Sequence, residues 1–399
     1  MDSSDNTLDL TYAGDRAAMM ERIGWDVGAI KRGKVMVIGA GALGNEVLKN
    51  LALIGVGHIL LIDFDTIEKS NLARSVLYRE ADCTGEKNKV DIAAMRVKEL
   101  NGEVKLMTIN GDIGVDVGLG IFRRMDVIIG CVDNRLARLR IDRNAHALGK
   151  TWVDGGIEDM GGQVSVYRPG VSSYECALGP QAWANINFRM GCTDRAMRNA
   201  SNGLANTTPI LASIISAMEV QEAMKVLGGE KFEPFLLAGK QFYYEGLSNT
   251  YEVIPHGQVR EDCPGHIQIE EVIEAPELGA GDTLTDLFAW LGNYFENTDF
   301  ILQLYHPLVL SIHFEGEDRA RELIIPRPHL SKDHIEKLGP SSGVTYQLEV
   351  VEEIDSSFPH MHLRLLDIGI PKLQIIKIIS KGKEHFVELS ADLPFLHFS

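Results

Sequence analysis

No stretch of this chain approaches the roughly 18 uninterrupted apolar residues that a membrane span demands. Basic residues are also scarce: Lys and Arg total 39 against 56 Asp and Glu, a formal net charge of −17. Nucleic acid is therefore not an expected partner, because phosphate backbones are held by basic surfaces. An acidic surface suits solubility or a basic protein partner instead. Cysteine is sparse, five in 399 residues, odd in number and widely spread, so no disulfide framework is expected. The opening Met1-Asp-Ser-Ser-Asp-Asn6 is acidic and polar, unlike a signal or transit peptide, and makes the cytoplasm the expected location.

What is present suits two domains, each with its own core. Residues 16 to 32 read as an amphipathic helix ending at Lys31-Arg32-Gly33. Strands are then expected at 35–38, 59–63, 104–109, 126–131 and 151–156, alternating with helices at 42–53, 89–100 and 135–148. That alternation predicts an α/β fold, a Rossmann-like doubly wound and mostly parallel sheet. A strand at 163–167, a Gly/Asn/Ser-rich passage at 190–208 and a long helix at 209–227 follow. The turn-rich Arg260-Glu-Asp-Cys-Pro-Gly-His266 ends the first domain, expected at 1–266. Residues 267–399 then read as a small α+β domain, with β-like runs at 300–304, 308–314, 346–351, 373–379 and 385–389 around a helix near 283–294.

The chemistry concentrates between Val35 and Lys89. An apolar strand enters Gly39-Ala-Gly-Ala-Leu-Gly44, where Gly39, Gly41 and Gly44 permit a sharp turn that brings phosphates to a helix N-terminus. The next apolar run ends at Asp63-Phe-Asp65, placing Asp63 to bind ribose hydroxyls. Alone, this fits a dehydrogenase as well. Asn71, Arg74 and Lys89 break the tie, because hydride transfer needs no such cations. Attack on an α-phosphorus builds charge that fixed cations stabilise. Asp133, past the fourth strand, is placed to hold Mg²⁺. ATP with Mg²⁺ is the expected cofactor pair.

The segments Gly39 to Leu53 and Asp63-Phe-Asp-Thr-Ile-Glu-Lys-Ser-Asn-Leu-Ala-Arg74, continued by Gly130-Cys-Val-Asp-Asn-Arg-Leu-Ala-Arg138 and Asp154-Gly-Gly156, resemble the ubiquitin-activating enzyme superfamily of ThiF/MoeB-like adenylyltransferases. Within it, the chain is most similar to compact bacterial activators. The resemblance implies ATP-Mg²⁺-dependent adenylation of the C-terminal carboxylate of a ubiquitin-like protein. Asp63, with Asp65 beside it, would serve the ribose, and Asn71, Arg74 and Lys89 the phosphates. Asp133 would serve Mg²⁺ and the reacting carboxylate. Arg16 would reach a partner's site in a homodimer. Two departures stand out. The Gly-x-x-Lys spacing is lengthened from Gly85 to Lys89, leaving Lys87 as a rival, and the usual Arg-Gln pair is Arg74-Ser75.

Asn187-Phe-Arg-Met-Gly-Cys-Thr193 resembles the catalytic-cysteine segment of such activators and lies in the Gly/Asn-rich passage, so a short cysteine segment is expected at about 177–208. Arg189, Arg195 and Arg198 around Cys192 would favour its thiolate, making it the candidate thioester site. Cys131 reads as a buried core residue, and Cys83 has no evident role. Family members often hold zinc with two Cys-x-x-Cys pairs. Here the counterparts are Ser173-Tyr-Glu-Cys176 and Cys263-Pro-Gly-His266, so Cys176, Cys263 and His266 remain and metal-free packing is favoured over zinc.

Ubiquitin-activating enzymes often end in a ubiquitin-fold domain that recruits the conjugating enzyme, and Leu365 to Lys377 resembles its final turn and strand. The leading expectation is thus a compact activator that adenylates a ubiquitin-like protein, loads it on Cys192 and passes it to a conjugating enzyme. A sulfur-carrier adenylyltransferase without its own thioester is the alternative. A non-catalytic scaffold subunit of a heterodimeric activator is the second.

Overall fold

The computed structural model describes residues 20–191, 207–339 and 345–398. Its first sheet has the strand order β3-β2-β1-β4-β5-β6-β7-β8. The strands are β1 (Lys34–Ile38), β2 (His58–Asp63), β3 (Lys105–Asn110), β4 (Val127–Gly130), β5 (Trp152–Glu158), β6 (Gly161–Tyr167), β7 (Lys240–Glu245) and β8 (Thr250–Pro255). Pairing is parallel from β3 through β5 and antiparallel from β5 through β8. The helices are α1 (Val27–Arg32), α2 (Ala42–Ile54), α3 (Lys89–Leu100), α4 (Leu119–Arg123), α5 (Arg135–Ala147), α6 (Pro180–Gly191) and α7 (Pro209–Leu227). This is the expected doubly wound, mostly parallel α/β fold.

The central strands are apolar on both sides because both sides are covered. Val35, Val37, Ile59 and Leu61 point into one core with Val47, Leu48 and Leu51 of α2, Val90 and Val97 of α3, and Ile215 and Val220 of α7. Met36, Ile38, Leu60 and Ile62 point the other way, against Phe122 of α4 and Ile141 of α5. Strand order turns outward at β1, so the carboxyl ends of β1, β2 and β4 open onto one crevice, where such sheets place ligands.

The second sheet has the order β11-β10-β13-β14-β9, with β12 also on β10. Its strands are β9 (Ile273–Ala275), β10 (Ile301–Phe314), β11 (Arg321–Pro326), β12 (Tyr346–Ile354), β13 (Ile375–Ser380) and β14 (Lys383–Leu389), with helices α8 (Leu284–Phe295) and α9 (Lys332–Leu338). Its own core is gathered from Leu284, Leu287 and Leu291 of α8 against Leu302, Ile376, Ile378 and Val387.

Several elements differ from the sequence reading. Within the described part of residues 16–32, the chain turns at Ile23-Gly24 before α1, because Gly24 sits at φ +93°. The two runs at 300–304 and 308–314 are one strand, and β7, β8, β11, α4 and α9 were not expected.

Segments flanking the second sheet complete the cover over the second core of the first. Leu373 is fully buried in the second core of the first sheet, with Phe395, Leu396 and Phe398 packed beside it. The Gly120 amide donates to the Leu373 carbonyl at 2.8 Å and the Leu119 amide to Gln374 Oε1 at 2.8 Å. Arg123 and Arg124, at the end of α4, reach the wholly buried Glu388 carboxylate at 2.9 and 2.6 Å. Replacing both arginines by alanine strands that carboxylate. The double variant should lose about 3–5 kcal/mol in urea unfolding, whereas Glu388→Gln should lose less. A loss below about 1 kcal/mol for the double variant would show the seam to be apolar only.

Candidate functional site

The chain leaving β1 turns at Gly39, held at φ +100°, and enters α2 at Gly41. A Cβ on Gly39 would overlap the Cys131 carbonyl oxygen, and one on Gly44 would overlap the Gly39 carbonyl oxygen. Both glycines are therefore required by the protein itself. Gly41 differs: its Cβ position meets no protein atom within 4 Å, yet it lines the crevice. A bare shelf at a helix N-terminus fits a phosphate-bearing ligand. Asn45, wholly buried on the first turn of α2, locks the loop by donating to the Ala40 and Gly41 carbonyls at 2.8 and 2.9 Å and accepting from the Leu77 amide at 2.9 Å. The Tyr78 hydroxyl adds a 2.7 Å bond to the Ala40 carbonyl. Neither residue was singled out from sequence, since both act on backbone far along the chain.

Asp63 ends β2 and accepts from the Ala40 and Asp65 amides, each at 2.7 Å. Burial raises its pKa, with Lys89 pulling the other way. Lys89 opens α3 and is 8% exposed, its ammonium 2.8 Å from Asp65 Oδ2. Burial works against its charge, but Asp63, Asp65 and Asp133 outweigh it and the net pKa is raised. The rival Lys87 turns elsewhere, to Asp82 at 3.5 Å and the Ala81 carbonyl at 3.1 Å. Asn71 is buried and accepts from the Glu68 amide at 2.9 Å, which fixes the short turn that presents Arg74.

Gly39, Gly41, Asp63, Asp65, Asn71, Arg74, Lys89 and Asp133 all line one crevice of about 1670 Å³. Gly44 supports it from below. Arg16 and Cys192 lie outside the described residues. Cys131 is buried, and burial together with Glu219 pushes its thiol up, as suits a core residue and not a nucleophile. On the crevice lining, Arg138 Nε donates to both Asp154 oxygens at 2.9 and 3.1 Å, and its Nη2 donates to the Gly155 carbonyl at 3.0 Å. Burial pushes Asp154 up to about 6 against the pull of Arg138. Glu219, on α7, is raised well above the ordinary range by burial and then by Asp154.

Cys176, Cys263 and His266 come together, with their ligand atoms within 4.8 Å of one another. Ser173, counted from sequence as a lost ligand, lies 3.4 Å from Cys176 Sγ and 3.7 Å from Cys263 Sγ, while Cys176 Sγ is 3.4 Å from His266 Nε2. Among the described residues three ligands of the usual zinc types meet here, one short of the four that close a structural site, and the Ser173 hydroxyl is not of those types, so the cluster is packed by hydrogen bonds that tie the segment after β6 to the turn at Pro264–His266.

The ThiF family model matches residues 15–265. Similar curated proteins include the adenylyltransferase and sulfurtransferase MOCS3 of Drosophila willistoni, 28% identical over 59% of this chain and 48% of the relative. The SUMO-activating enzyme subunit uba-2 of Caenorhabditis elegans is 35% identical over 42% of this chain and 28% of the relative. The molybdopterin-synthase adenylyltransferase of Haemophilus influenzae is 33% identical over 36% and 60%. The chain spans about half the length of the MOCS3 relatives it matches. Among solved structures, MccB of E. coli aligns over 59% of this chain and 67% of its own, with 22% identity and a TM-score of 0.48.

The two kinds of glycine should separate in experiment. Gly44→Ala should lower the melting temperature of the whole chain. Gly41→Ala should leave it within about 2 °C yet weaken ATP binding at least about tenfold, 1.4 kcal/mol, by calorimetry. Equal melting losses in both would remove the case for a ligand shelf. The buried acids make a second forecast. Their folded pKa values lie above the ordinary 3.8 and 4.5, so folding takes up protons. That stabilisation is complete below the unfolded values and lost as pH rises through the folded ones. The urea midpoint should therefore fall as pH rises from about 4 through about 6, the folded value of Asp154, and on through the still higher range of Glu219, and Glu219→Gln should flatten the fall. A Glu219→Gln profile parallel to wild type would mean that the residue stays ionised.

Proposed function

Because the chain belongs to the ThiF family, we propose that it is a ubiquitin-activating-type enzyme which adenylates the C-terminal carboxylate of a ubiquitin-like protein. The observation that carries this reading is the cation Lys89, buried beside the bare Gly41 shelf with Arg74 on the same crevice. A carboxylate oxygen of the tail attacks the α-phosphorus of ATP, the bond to the bridging oxygen breaks, and pyrophosphate leaves. Lys89 and Arg74 offset the charge that gathers on the phosphate oxygens, and Asn71 positions them. Asp63 and Asp65 hold the ribose end. Mg²⁺, held with the help of Asp133, would supply further neutralisation of the phosphates.

In the fuller reading, the Cys192 thiolate attacks the acyl-adenylate, AMP departs, and the thioester passes to a conjugating enzyme recruited by a ubiquitin-fold-like C-terminal domain at 267–399. The adenylation domain is 1–266, in a homodimer completed by Arg16. A second reading, a sulfur-carrier adenylyltransferase with no thioester of its own, draws support from the matches to MOCS3 and the molybdopterin-synthase adenylyltransferase. The scaffold reading is disfavoured because Arg74, Lys89 and Asp133 are all present on the crevice.

ATP–pyrophosphate exchange with ubiquitin-like proteins ending in a free tail tests the shared step. Lys89→Ala should lower exchange by about 10²–10³; undiminished exchange would remove the lysine from the chemistry. A reductant-sensitive adduct that Cys192→Ala abolishes, with exchange intact, selects the thioester enzyme. Exchange with no adduct in wild type selects the sulfur-carrier one.

A further inference from the structure

The crevice has a wall that nucleotide binding leaves unused, and it comes from the second sheet. β10 pairs with β12 at Gln303↔Glu353 and resumes at Leu308↔Val351, so residues 304–307 face the single residue 352. Such a bulge throws side chains out of the ladder and re-aims them. The Tyr305 hydroxyl donates to Asn144 Oδ1 at 2.8 Å, and the Arg140 guanidinium lies 5.7 Å from the Tyr305 ring centre. His306 Nε2 is 2.7 Å from the Gly114 carbonyl oxygen. The bulge is thereby pinned to the rim of the first sheet, and Tyr305, His306 and Pro307 line the same crevice as Asp63 and Lys89.

Arg327, in the turn after β11, lines this wall as well, and its Nε is buried with no hydrogen-bond partner among the described residues. A buried donor left unpaired is unfavourable unless an acceptor arrives from outside. The crevice, at about 1670 Å³, exceeds the about 300–1,000 Å³ that a small-molecule site occupies, so room remains beside a nucleotide. An extended peptide fills a slot of this kind and offers a carbonyl acceptor at each residue.

Resting on the adenylation reading, we propose that the second sheet forms the outer wall of the channel along which the ubiquitin-like protein's tail reaches the nucleotide. Arg327 is a positioning residue there, donating to a main-chain carbonyl of the tail. The C-terminal part of the chain is thus a substrate-selecting element.

The test uses the full chain and, as probe, a mixture of ten-residue peptides of randomised sequence with free C-terminal carboxylates, assayed by ATP–pyrophosphate exchange. Arg327→Ala should raise KM for the peptides at least fivefold with kcat within twofold, and leave the Kd for ATP-Mg²⁺ alone unchanged. Arg327→Gln keeps a side-chain N–H and should fall between, and it carries the test if the alanine variant melts early. An unchanged peptide KM, or a parallel loss of ATP affinity, overturns the wall assignment. No exchange with the peptides in a wild type that exchanges with ubiquitin-like proteins overturns the tail channel alone; no exchange with either, though ATP-Mg²⁺ binds, overturns the adenylation reading and this proposal with it.

Discussion

A lysine ammonium held away from water stays charged only where anions repay its desolvation, and the crevice is organised around one such ammonium. Lys89 has Asp65 in contact and Asp63 and Asp133 near enough to act on its charge. These four residues come from the end of β2, the start of α3 and the segment after β4, so a single electrostatic balance draws three crossovers to one point. The acids in turn need the cation. Asp63 is raised by its own burial and by Asp65, and Lys89 holds it back. Phosphate entering this cluster would meet a cation already desolvated, so little reorganisation remains to be done at the moment of reaction.

The floor of the crevice rests on a comparable balance, again one cation among carboxylates. Arg138 is committed to Asp154, and Glu219 is near enough to feel both charges, with one carboxyl oxygen unpartnered among the described residues. Gly155 and Gly162 leave space there: a Cβ on Gly155 would overlap the Glu219 carboxyl, and one on Gly162 would overlap Ile215. The glycines of β5 and β6 therefore let α7 lie close on the sheet, which is a packing role and not a ligand role.

Much of the nucleotide half was legible in the sequence because its signals are local. The strand-turn-helix from Lys34 to Ile54 is written in continuous apolar residues and two sterically required glycines, and α3 and α7 were read with the ends they have. The strands β7 and β8 were not legible: β8 is exposed along its whole length, so its sequence carries no buried alternation. β10 was split in two because Pro307 and its polar neighbours interrupt the apolar run where the bulge lies. Site residues recognised by type, such as Asp63, Asn71, Arg74, Lys89 and Asp133, fell on one crevice. Those that act by long-range hydrogen bonds, such as Asn45 and Tyr78, had no nearby sequence cue.

Leu373 gives the molecule a property that neither sheet has alone. It arises from the last third of the chain, yet it is fully buried in the apolar layer beneath β1 and β2, beside Phe122. Cutting the polypeptide near residue 266 would leave that layer open to water on one fragment and a bare leucine with its aromatic neighbours on the other. The C-terminal third is therefore not a portable cassette that recombination could append or discard without cost. Its boundary with the nucleotide half is an internal seam, closed by apolar packing and main-chain hydrogen bonds.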